Sequence, residues 1–570
     1  MNYSEILAGL NKINLNTKRF KLSLLSNSVV NPLKDIIDYY LKVDGVNSDL
    51  IIGEHDNIIQ EAINCPSDSI LIIFWDVQNI HKGLYYKYDL LSKEEITDII
   101  EKQKSDITFL FKNVMDKPLV LLNEFCPLFI SHHHDYKTNI ELICDEVNAF
   151  VRKQKPDNVR IVPISKIISK IGVNNSYNKQ YHRITSTIYT NSFFIEYAIR
   201  IKPPILSSIG RTKKVLVLDC DNTLWDGIYG EDGDNIECFP EEKKGVFFYE
   251  VQFLLKALKE KGTLLAICSK NNIEDIKEAF EKKDNMPLTL EDFTVIKANW
   301  KSKSENILDI ANDLNLGLDS LVFIDDSDFE INQVSSHLQD VLCCKVPKKL
   351  SNYPDLIHDI SCLFVQGSIT NEDKGKSLMY KQESERHLSK KNYSNIDDYL
   401  KSLMLEIEFN LNNRDKIPRL AQLTKKTNQF NVTTKRYNEE QIKGFIAQHN
   451  KIVIDFNLFD NFGDYGTCGL AILSLKDTTA KLDTFLMSCR VLGRNVEYLF
   501  FEFIINILKK KGIKSLNCFY IETKKNIQCK DLFDRFKCVL ISENNGLKEY
   551  SLHLNNFKSF NIDYIKYKIK

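Results

Sequence analysis

Short, uninterrupted apolar runs alternate with segments of helical period through the first third of the chain. FKLSLLSN, DSILIIFWDV, KPLVLLNEF and NVRIVPIS read as strands, because continuous apolar runs suit strands covered on both faces of a parallel sheet. Between them PLKDIIDYYLKV, opened by Pro32, then EEITDIIEKQKSDITFLFKNVM and the stretch at about 138–154 place apolar residues three and four apart. That is the period of a helix with one buried face. The alternation over residues 20–206 therefore predicts a doubly wound α/β domain.

The same grammar continues in the middle of the chain, where VLVL (215–218), TLLAICS (263–269), FTVIKAN and LVFIDD (321–326) read as strands and 245–261 and 272–282 as helices. After a charged helical connector the pattern changes. LEIEFNL, KIVIDFNLF, GTCGLAILSLK and KLDTFLMSC read as antiparallel strands, with a helix over 415–427 after the first and a long helix over about 495–511 after the last.

At 570 residues the chain is long enough for three or so domains. A formal net charge of −1 argues against a dedicated nucleic-acid surface. Fourteen cysteines lie scattered with no CxxC pair, Cys343–Cys344 being the only close pair. Reduced thiols in a cytoplasmic protein suit that usage better than a disulfide framework or a zinc site. MNYSEILAGL does not read as a signal peptide, and no apolar run approaches the ~20 residues needed to span a bilayer. A soluble protein with no nucleic-acid or membrane partner is expected.

The chemistry gathers at strand ends. The strand 215–218 runs into Asp219 and Asp221, followed by Thr223. Side chains alternate along an extended strand, so the two acids project together while Cys220 points away. Two carboxylates so close need a cation, and Mg²⁺ is the usual one. A lone DxDxT is also an ordinary acidic turn. Three later stretches change that reading: Ser269 ends the second strand, Lys301 and Lys303 stand before a helix in NWKSKSENI, and Asp325 and Asp326 end LVFIDD.

Acid pair, hydroxyl, lysine and acid pair, each at the end of an element, resemble the four motifs of the haloacid dehalogenase superfamily. The resemblance implies phosphoryl transfer, with Asp219 as nucleophile and Asp221 as general acid/base. Ser269 and Lys303 would hold the phosphoryl oxygens, Lys301 being the alternative to Lys303. Mg²⁺ would be carried by Asp219, the carbonyl of Asp221 and the pair Asp325 and Asp326, with Asp326 the expected direct ligand. DNTLWDGIYGEDG, ICSKNN, NWKSKSENI and FIDDSDFE look more specifically like the FkbH-like branch, which adds Thr223, Lys270 and Asn271 to the substrate site. Asp226 and Ser327 stand where that branch commonly has Gly and Asn. WDGIYGEDG reads as a hairpin-like loop, with Trp225, Gly227, Gly230 and Gly233 shaping it beside the nucleophile. Neither interval between motifs has room for a cap domain, so the site is open unless a neighbouring domain acts as its lid.

The resemblance extends to both flanks. Residues 1–207 resemble an SGNH-like module: Ser26, Asn27 and Ser28 fall where such a hydrolase has its nucleophile, but GDS and DxxH contexts are missing, so a degenerate domain is expected. His132, His133 and His134 resemble a metal cluster only superficially, and a solvated loop is the better reading. Residues 208–362 would be the capless, Rossmann-like phosphatase, 363–404 the connector and 405–570 a GNAT-like α+β domain. There, SCRVLGRNVE (488–497) falls where an RxxGxG/A-like turn would hold a pyrophosphate, through Arg490, Gly493, Arg494 and Asn495. LTKKTNQFNVTTKRY (423–437) and DNFGDYG (460–466) again look FkbH-like. Asn428, Gln429 and Asn431 would bind a polar substrate or a phosphopantetheine arm, or else cap the helix before them. Cys489 and Cys220 are candidate acyl carriers, with core packing the commoner role.

The family is associated with moving a glyceryl unit from 1,3-bisphosphoglycerate to the thiol of an acyl carrier protein. The expectation is thus a Mg²⁺-dependent phosphatase/acyltransferase acting on a small phosphorylated substrate, with an acyl carrier protein as partner. The alternatives are a stand-alone phosphatase in a sugar or polysaccharide pathway, its GNAT-like domain a lid or binding module, and a scaffold with vestigial acids.

Overall fold

The computed structural model describes residues 2–15, 19–128, 135–185, 187–364, 382, 386, 393, 395–523 and 525–570. His132, His133 and His134 and most of the connector lie outside the described residues. Two compact units are present, Met1–Ser208 and Ile209–Lys570.

The first unit is built on a five-stranded sheet of β1 (Phe20–Ser26), β2 (Ser48–Ile52), β3 (Ile70–Phe74), β4 (Val120–Asn123) and β5 (Val159–Val162), in the order β2-β1-β3-β4-β5. All its pairs are parallel. Every residue of β3 and β4 is buried, which explains their continuous apolar runs. The pattern of apolar residues missed β2, an edge strand with only Leu50 fully covered.

The second unit opens with a parallel sheet of β6 (Val215–Leu218), β7 (Leu264–Ser269), β8 (Phe293–Ala298), β9 (Leu321–Asp325) and β10 (Leu342–Lys345), in the order β10-β9-β6-β7-β8. Alternate residues serve opposite faces. Leu216, Leu218, Leu265 and Ile267 pack with the helices Gly245–Glu260 and Tyr353–Ser361, whereas Val215, Val217, Leu264 and Ala266 pack with the helix Lys303–Asp313. Burying each of these larger aliphatic side chains contributes about 1.5–3 kcal/mol, so β6 is fixed from both sides. Between Asp221 and the helix at Gly245 the chain forms no hairpin. One helical turn, Tyr229–Asp232, is enclosed by a single antiparallel bridge between Asp226 and Glu237. Gly227 sits at φ 101°, where a Cβ would meet the Asp232 carboxylate at 2.9 Å, and Asp232 instead accepts the N–H of Ile228. No separate cap is inserted there.

An eight-stranded mixed sheet follows, made of β11 (Glu406–Leu411), β12 (Lys451–Asp460), β13 (Gly463–Lys476), β14 (Thr479–Met487), β15 (Ser515–Ile521), β16 (Val539–Asn544), β17 (Leu547–His553) and β18 (Lys566–Ile569). The order is β16-β17-β15-β14-β13-β12-β11-β18. β11 to β14 are antiparallel neighbours. The helix Val496–Lys510 then crosses over, so β15 returns parallel to β14. Phe500 and Phe503 of that helix stack on Phe485 and Phe409. The parallel pairing lasts only from Thr479–Leu482 against Ser515–Cys518; beyond it the two strands part.

Candidate functional site

Strand order places the chemistry. β6 has later strands on both sides, β7 and β8 to one side and β9 and β10 to the other, which makes the β6/β9 boundary a topological switch point. Asp219 follows β6, Ser269 ends β7, Asp325 ends β9, and Lys303 is the first residue of the helix after β8. All four reach the carboxyl edge of the sheet.

There the Lys303 ammonium joins two strands, 2.8 Å from Asp219 Oδ2 and 2.5 Å from Asp325 Oδ2. It is buried, as is Asp325. Burial works against the Lys303 charge, but Asp219 and Asp325 together raise its pKa above the ordinary lysine value. Burial, reinforced by the Asp219 charge, lifts Asp325 to about 6 and also raises Asp326. Asp325 Oδ1 accepts the N–H of Ser327 at 2.8 Å. Lys301, by contrast, keeps 64% of its side chain exposed. Ser302 decides between the two: as N-cap of a capping box with Glu305, it starts the helix at Lys303 and turns that residue inward.

Asp221 is held by three donors. Trp225 Nε1 and Tyr229 N donate to Oδ1 at 3.0 and 3.1 Å, and Asn271 Nδ2 donates to Oδ2 at 2.9 Å. Asn271 also donates to Ser269 Oγ at 3.3 Å, so the hydroxyl and the acid share one amide. Lys270 turns to Glu330, 2.6 Å away. Thr223, expected at the substrate, is fully buried; its carbonyl accepts the Tyr353 hydroxyl. Trp225 and Tyr229 lie in the loop that sequence marked, but their bonds to Asp221 required its fold.

Asp219, Asp325 and Asp326 each bring a carboxylate oxygen to within 4.8 Å of the others. Asp219 Oδ1 is buried without a hydrogen-bond partner. An unpartnered buried carboxylate oxygen among hard oxygen donors fits a divalent cation such as Mg²⁺.

In the mixed-sheet domain the expected residues divide. Asn428 Nδ2 donates to Gly210 O at 2.8 Å and its Oδ1 accepts from Arg436 at 2.6 Å, and Asn428, Gln429 and Arg490 all line one cavity. Gly493 and Asn495 take left-handed backbone at φ 75° and 61°. Arg494 folds back on the turn, donating to the carbonyls of Arg490 and Leu492 at 2.8 and 3.1 Å. Asn495 Nδ2 donates to the Tyr564 hydroxyl at 2.8 Å. Within TNQFN, Asn431 Nδ2 donates to the carbonyl of Thr427, the C-cap residue of the helix Ile417–Lys426. The segment's backbone fills the parting of β14 and β15: Met487 N donates to Phe430 O, Val432 N to Phe485 O and Ile521 N to Val432 O, at 3.0, 3.2 and 2.8 Å. In DNFGDYG, Asp460 accepts from Arg386 Nε and Nη2 at 2.7 and 2.8 Å, and Arg386 lies 4.0 Å over the Tyr465 ring. Cys220 packs in the core, where burial pushes its thiol well above the usual range. Cys489 is half-buried and its carbonyl accepts from Asn315. No disulfide joins any of the fourteen cysteines, all of which are among the described residues.

In the first unit Ser26 Oγ donates to Ser28 O at 2.8 Å, and Asn79 donates to Ser28 Oγ at 3.0 Å. Asp76 is buried beside Asn27, accepts the Tyr189 hydroxyl at 2.5 Å, and is raised by burial to about 6. These hydroxyls and amides tie the ends of β1 and β3 together. Among the described residues no helix is long and apolar enough to cross a membrane.

Fold and site together define an α/β protein in which a unit built on a five-stranded parallel sheet precedes a second parallel-sheet domain, with the acid cluster at its carboxyl edge, and an α+β domain built on an eight-stranded mixed sheet. Among solved structures, the N-terminal part of BF1531 from Bacteroides fragilis, containing a phosphatase domain complexed with Mg, is 26% identical, with a TM-score of 0.58, over 65% of this chain and 100% of that one. The ribosomal-protein-S18-alanine N-acetyltransferase from Escherichia coli is 13% identical over 27% of this chain and 98% of its own, with a TM-score of 0.21. An N-acetyltransferase from Staphylococcus aureus Mu50 is 13% identical over 26% and 98%, again with a TM-score of 0.21. No protein-family model and no curated protein matches the chain.

Proposed function

We propose that the parallel-sheet domain performs Mg²⁺-dependent phosphoryl transfer from a small phosphorylated substrate through an aspartyl-phosphate at Asp219. The observation that carries this reading is the buried Lys303 bridging Asp219 and Asp325 at the switch point, beside an Asp219 oxygen with no partner. A carboxylate oxygen of Asp219 bonds to phosphorus as the bond to the leaving oxygen breaks, and Asp221 gives that oxygen its proton. Asp221 then takes a proton from water, whose oxygen attacks phosphorus and releases phosphate with Asp219 restored. Ser269 and Lys303 hold the phosphoryl oxygens while charge spreads over them. Asp219, Asp326 and the Asp221 carbonyl, with Asp325 in support, would hold Mg²⁺, which when bound would neutralise charge as the phosphoryl group transfers. The BF1531 phosphatase domain, complexed with Mg, supports the metal assignment.

The finer reading is that phosphoryl chemistry is coupled to loading a glyceryl or related acyl group onto the thiol of an acyl carrier protein, as the FkbH-like motifs imply. A second reading, a stand-alone phosphatase whose GNAT-like domain is a binding module, draws on the backbone of Phe430 and Val432, which occupies the parting of β14 and β15. Phosphate release from 1,3-bisphosphoglycerate and simple phosphomonoesters, with Asp219→Asn alongside and a phosphopantetheinylated carrier present or absent, tests both. Asp219-dependent release with acyl mass gained by the carrier supports loading; Asp219-dependent release indifferent to the carrier supports the second reading. Release unchanged in Asp219→Asn refutes the phosphoryl-transfer mechanism itself.

A further inference from the structure

The direction in which a leaving group departs follows from the residues around Asp221. β6 lies between β9, whose end carries Asp325 and its neighbour Asp326, and β7, whose following loop carries Asn271. Asn271 Nδ2 donates to Asp221 Oδ2 at 2.9 Å from that β7 side. In-line transfer puts the leaving oxygen opposite Asp219, outward from the sheet edge. Asp221, which gives that oxygen its proton, draws it towards the loop after β7. With no cap inserted, whatever the leaving group carries passes over the rim at that loop.

That rim holds Trp300, between β8 and the helix Lys303–Asp313, 71% exposed. Tryptophan is highly buried on average, so an open indole beside a reacting centre is informative. It is also held in place. Its Nε1 donates to Asn272 Oδ1 at 3.2 Å, one residue from the amide on Asp221, which puts the ring on the order of 10 Å from that acid. Just upstream, Asn299 N donates to Ser269 O at 3.2 Å, and the Asn299 and Asn306 side chains exchange hydrogen bonds at 3.1 and 3.0 Å. These bonds tie the Trp300 backbone to the strand end that carries the Ser269 hydroxyl. At the other Asp221 oxygen, the Tyr229 N–H brings its neighbour Ile228, which is also exposed. Trp225 of the same loop packs edge-on against Phe280 of the helix Ile273–Lys282, with ring centroids 5.8 Å apart, and so draws the two flanks together. An aromatic ring and an aliphatic chain therefore flank the acid that protonates the leaving group.

We propose that Trp300, with Ile228, forms a leaving-group subsite, and that the substrate is a phosphate ester whose leaving group carries an apolar or aromatic arm. The inference rests on the phosphoryl-transfer reading and adds the class of substrate to it. Packing of the arm on the indole is made in substrate and transition state alike, so it acts through KM. Phe329 is exposed to a similar degree, 67%, but it follows β9 beside Asp326, where Lys270 Nζ lies 5.9 Å from its ring centroid. Its ring is off the departing path.

Steady-state phosphate release with Mg²⁺ from benzyl phosphate and ethyl phosphate, two alkyl esters that differ in the arm, tests it on the full chain and on Trp300→Ala, Trp300→Phe and Phe329→Ala. The wild type is expected to favour benzyl phosphate in kcat/KM, and Trp300→Ala to reduce that preference by about fivefold or more through KM. Trp300→Phe should keep most of the preference, and taking the ratio of the two esters cancels any general effect on the Ser269 loop. Should Trp300→Ala fail to fold, Ile228→Ser is read in its place, with a several-fold loss of preference expected. A preference unchanged by the substitution, or lost equally in Phe329→Ala, overturns the subsite while Asp219-dependent release leaves phosphoryl transfer standing. Turnover of 1,3-bisphosphoglycerate with none of benzyl phosphate likewise overturns the subsite alone. Release indifferent to Asp219→Asn refutes the phosphoryl-transfer reading and takes the subsite with it.

Discussion

Lys303 Nζ stands 2.8 Å from Asp219 Oδ2, and the same buried ammonium reaches Asp325 at 2.5 Å. One cation thus holds together carboxylates from neighbouring strands that would otherwise repel. Lys303→Ala should lower phosphate release by about 10²–10³-fold. It should also cost roughly 3–5 kcal/mol of stability, because uncompensated buried charge remains. Lys301→Ala, at an exposed side chain, should leave release unchanged and stability within about 0.5 kcal/mol. Steady-state kinetics and urea midpoints on both variants check the assignment; the opposite pattern would hand the role to Lys301.

Asp219→Asn should abolish measurable release. Asp221→Asn should reduce it by about 10²–10⁴-fold, the range for losing a positioned acid/base. Chelation should stop turnover and added Mg²⁺ should restore it. Asp326→Asn should raise the Mg²⁺ concentration for half-maximal rate by about tenfold or more, measured by metal titration of the chelated protein.

In the first unit, Asp76 has its pKa raised to about 6 by burial, against the lowering effect of its bonds from Tyr189 and Gln78. Between pH ~4 and ~6 the folded state therefore binds more protons at this group than the unfolded chain does. Stability falls as pH rises across that window and levels off above it. Relative to Asp76→Asn, the wild type should lose roughly 2.4 kcal/mol between pH 4 and 7. Calorimetric unfolding of the two chains across that range checks it; parallel profiles would show that Asp76 ionises normally.

Arg386 and Asp460 form a buried bidentate pair capped by the Tyr465 ring. Arg386→Ala should cost roughly 3–5 kcal/mol, since Asp460 would be left buried and charged. A urea midpoint indistinguishable from wild type would show that water or another donor replaces the guanidinium.

Much of the site was legible because it sits at element ends. Apolar runs locate β6, β7 and β9, and the residues that stop them are those the sheet delivers to its carboxyl edge. Less was legible where a residue's partner is remote in sequence. Asp460 meets Arg386, Asn428 meets Gly210, and Lys525 meets Asp319, pairings that no local period encodes. The hairpin expected at WDGIYGEDG fails because the Asp232 carboxylate and the Asp226–Glu237 bridge favour a helical turn over a second ladder.

By itself the sequence determined the strands β6, β7 and β9 and the helices between them, and that acids and a hydroxyl end those strands while a lysine stands at a helix start, because periodicity and capping are local. The tertiary structure alone decided that β2 is an edge and that Phe430–Val432 closes the gap between β14 and β15. Those outcomes depend on how faces pack across many tens of residues, and packing selects among arrangements that the same local pattern permits.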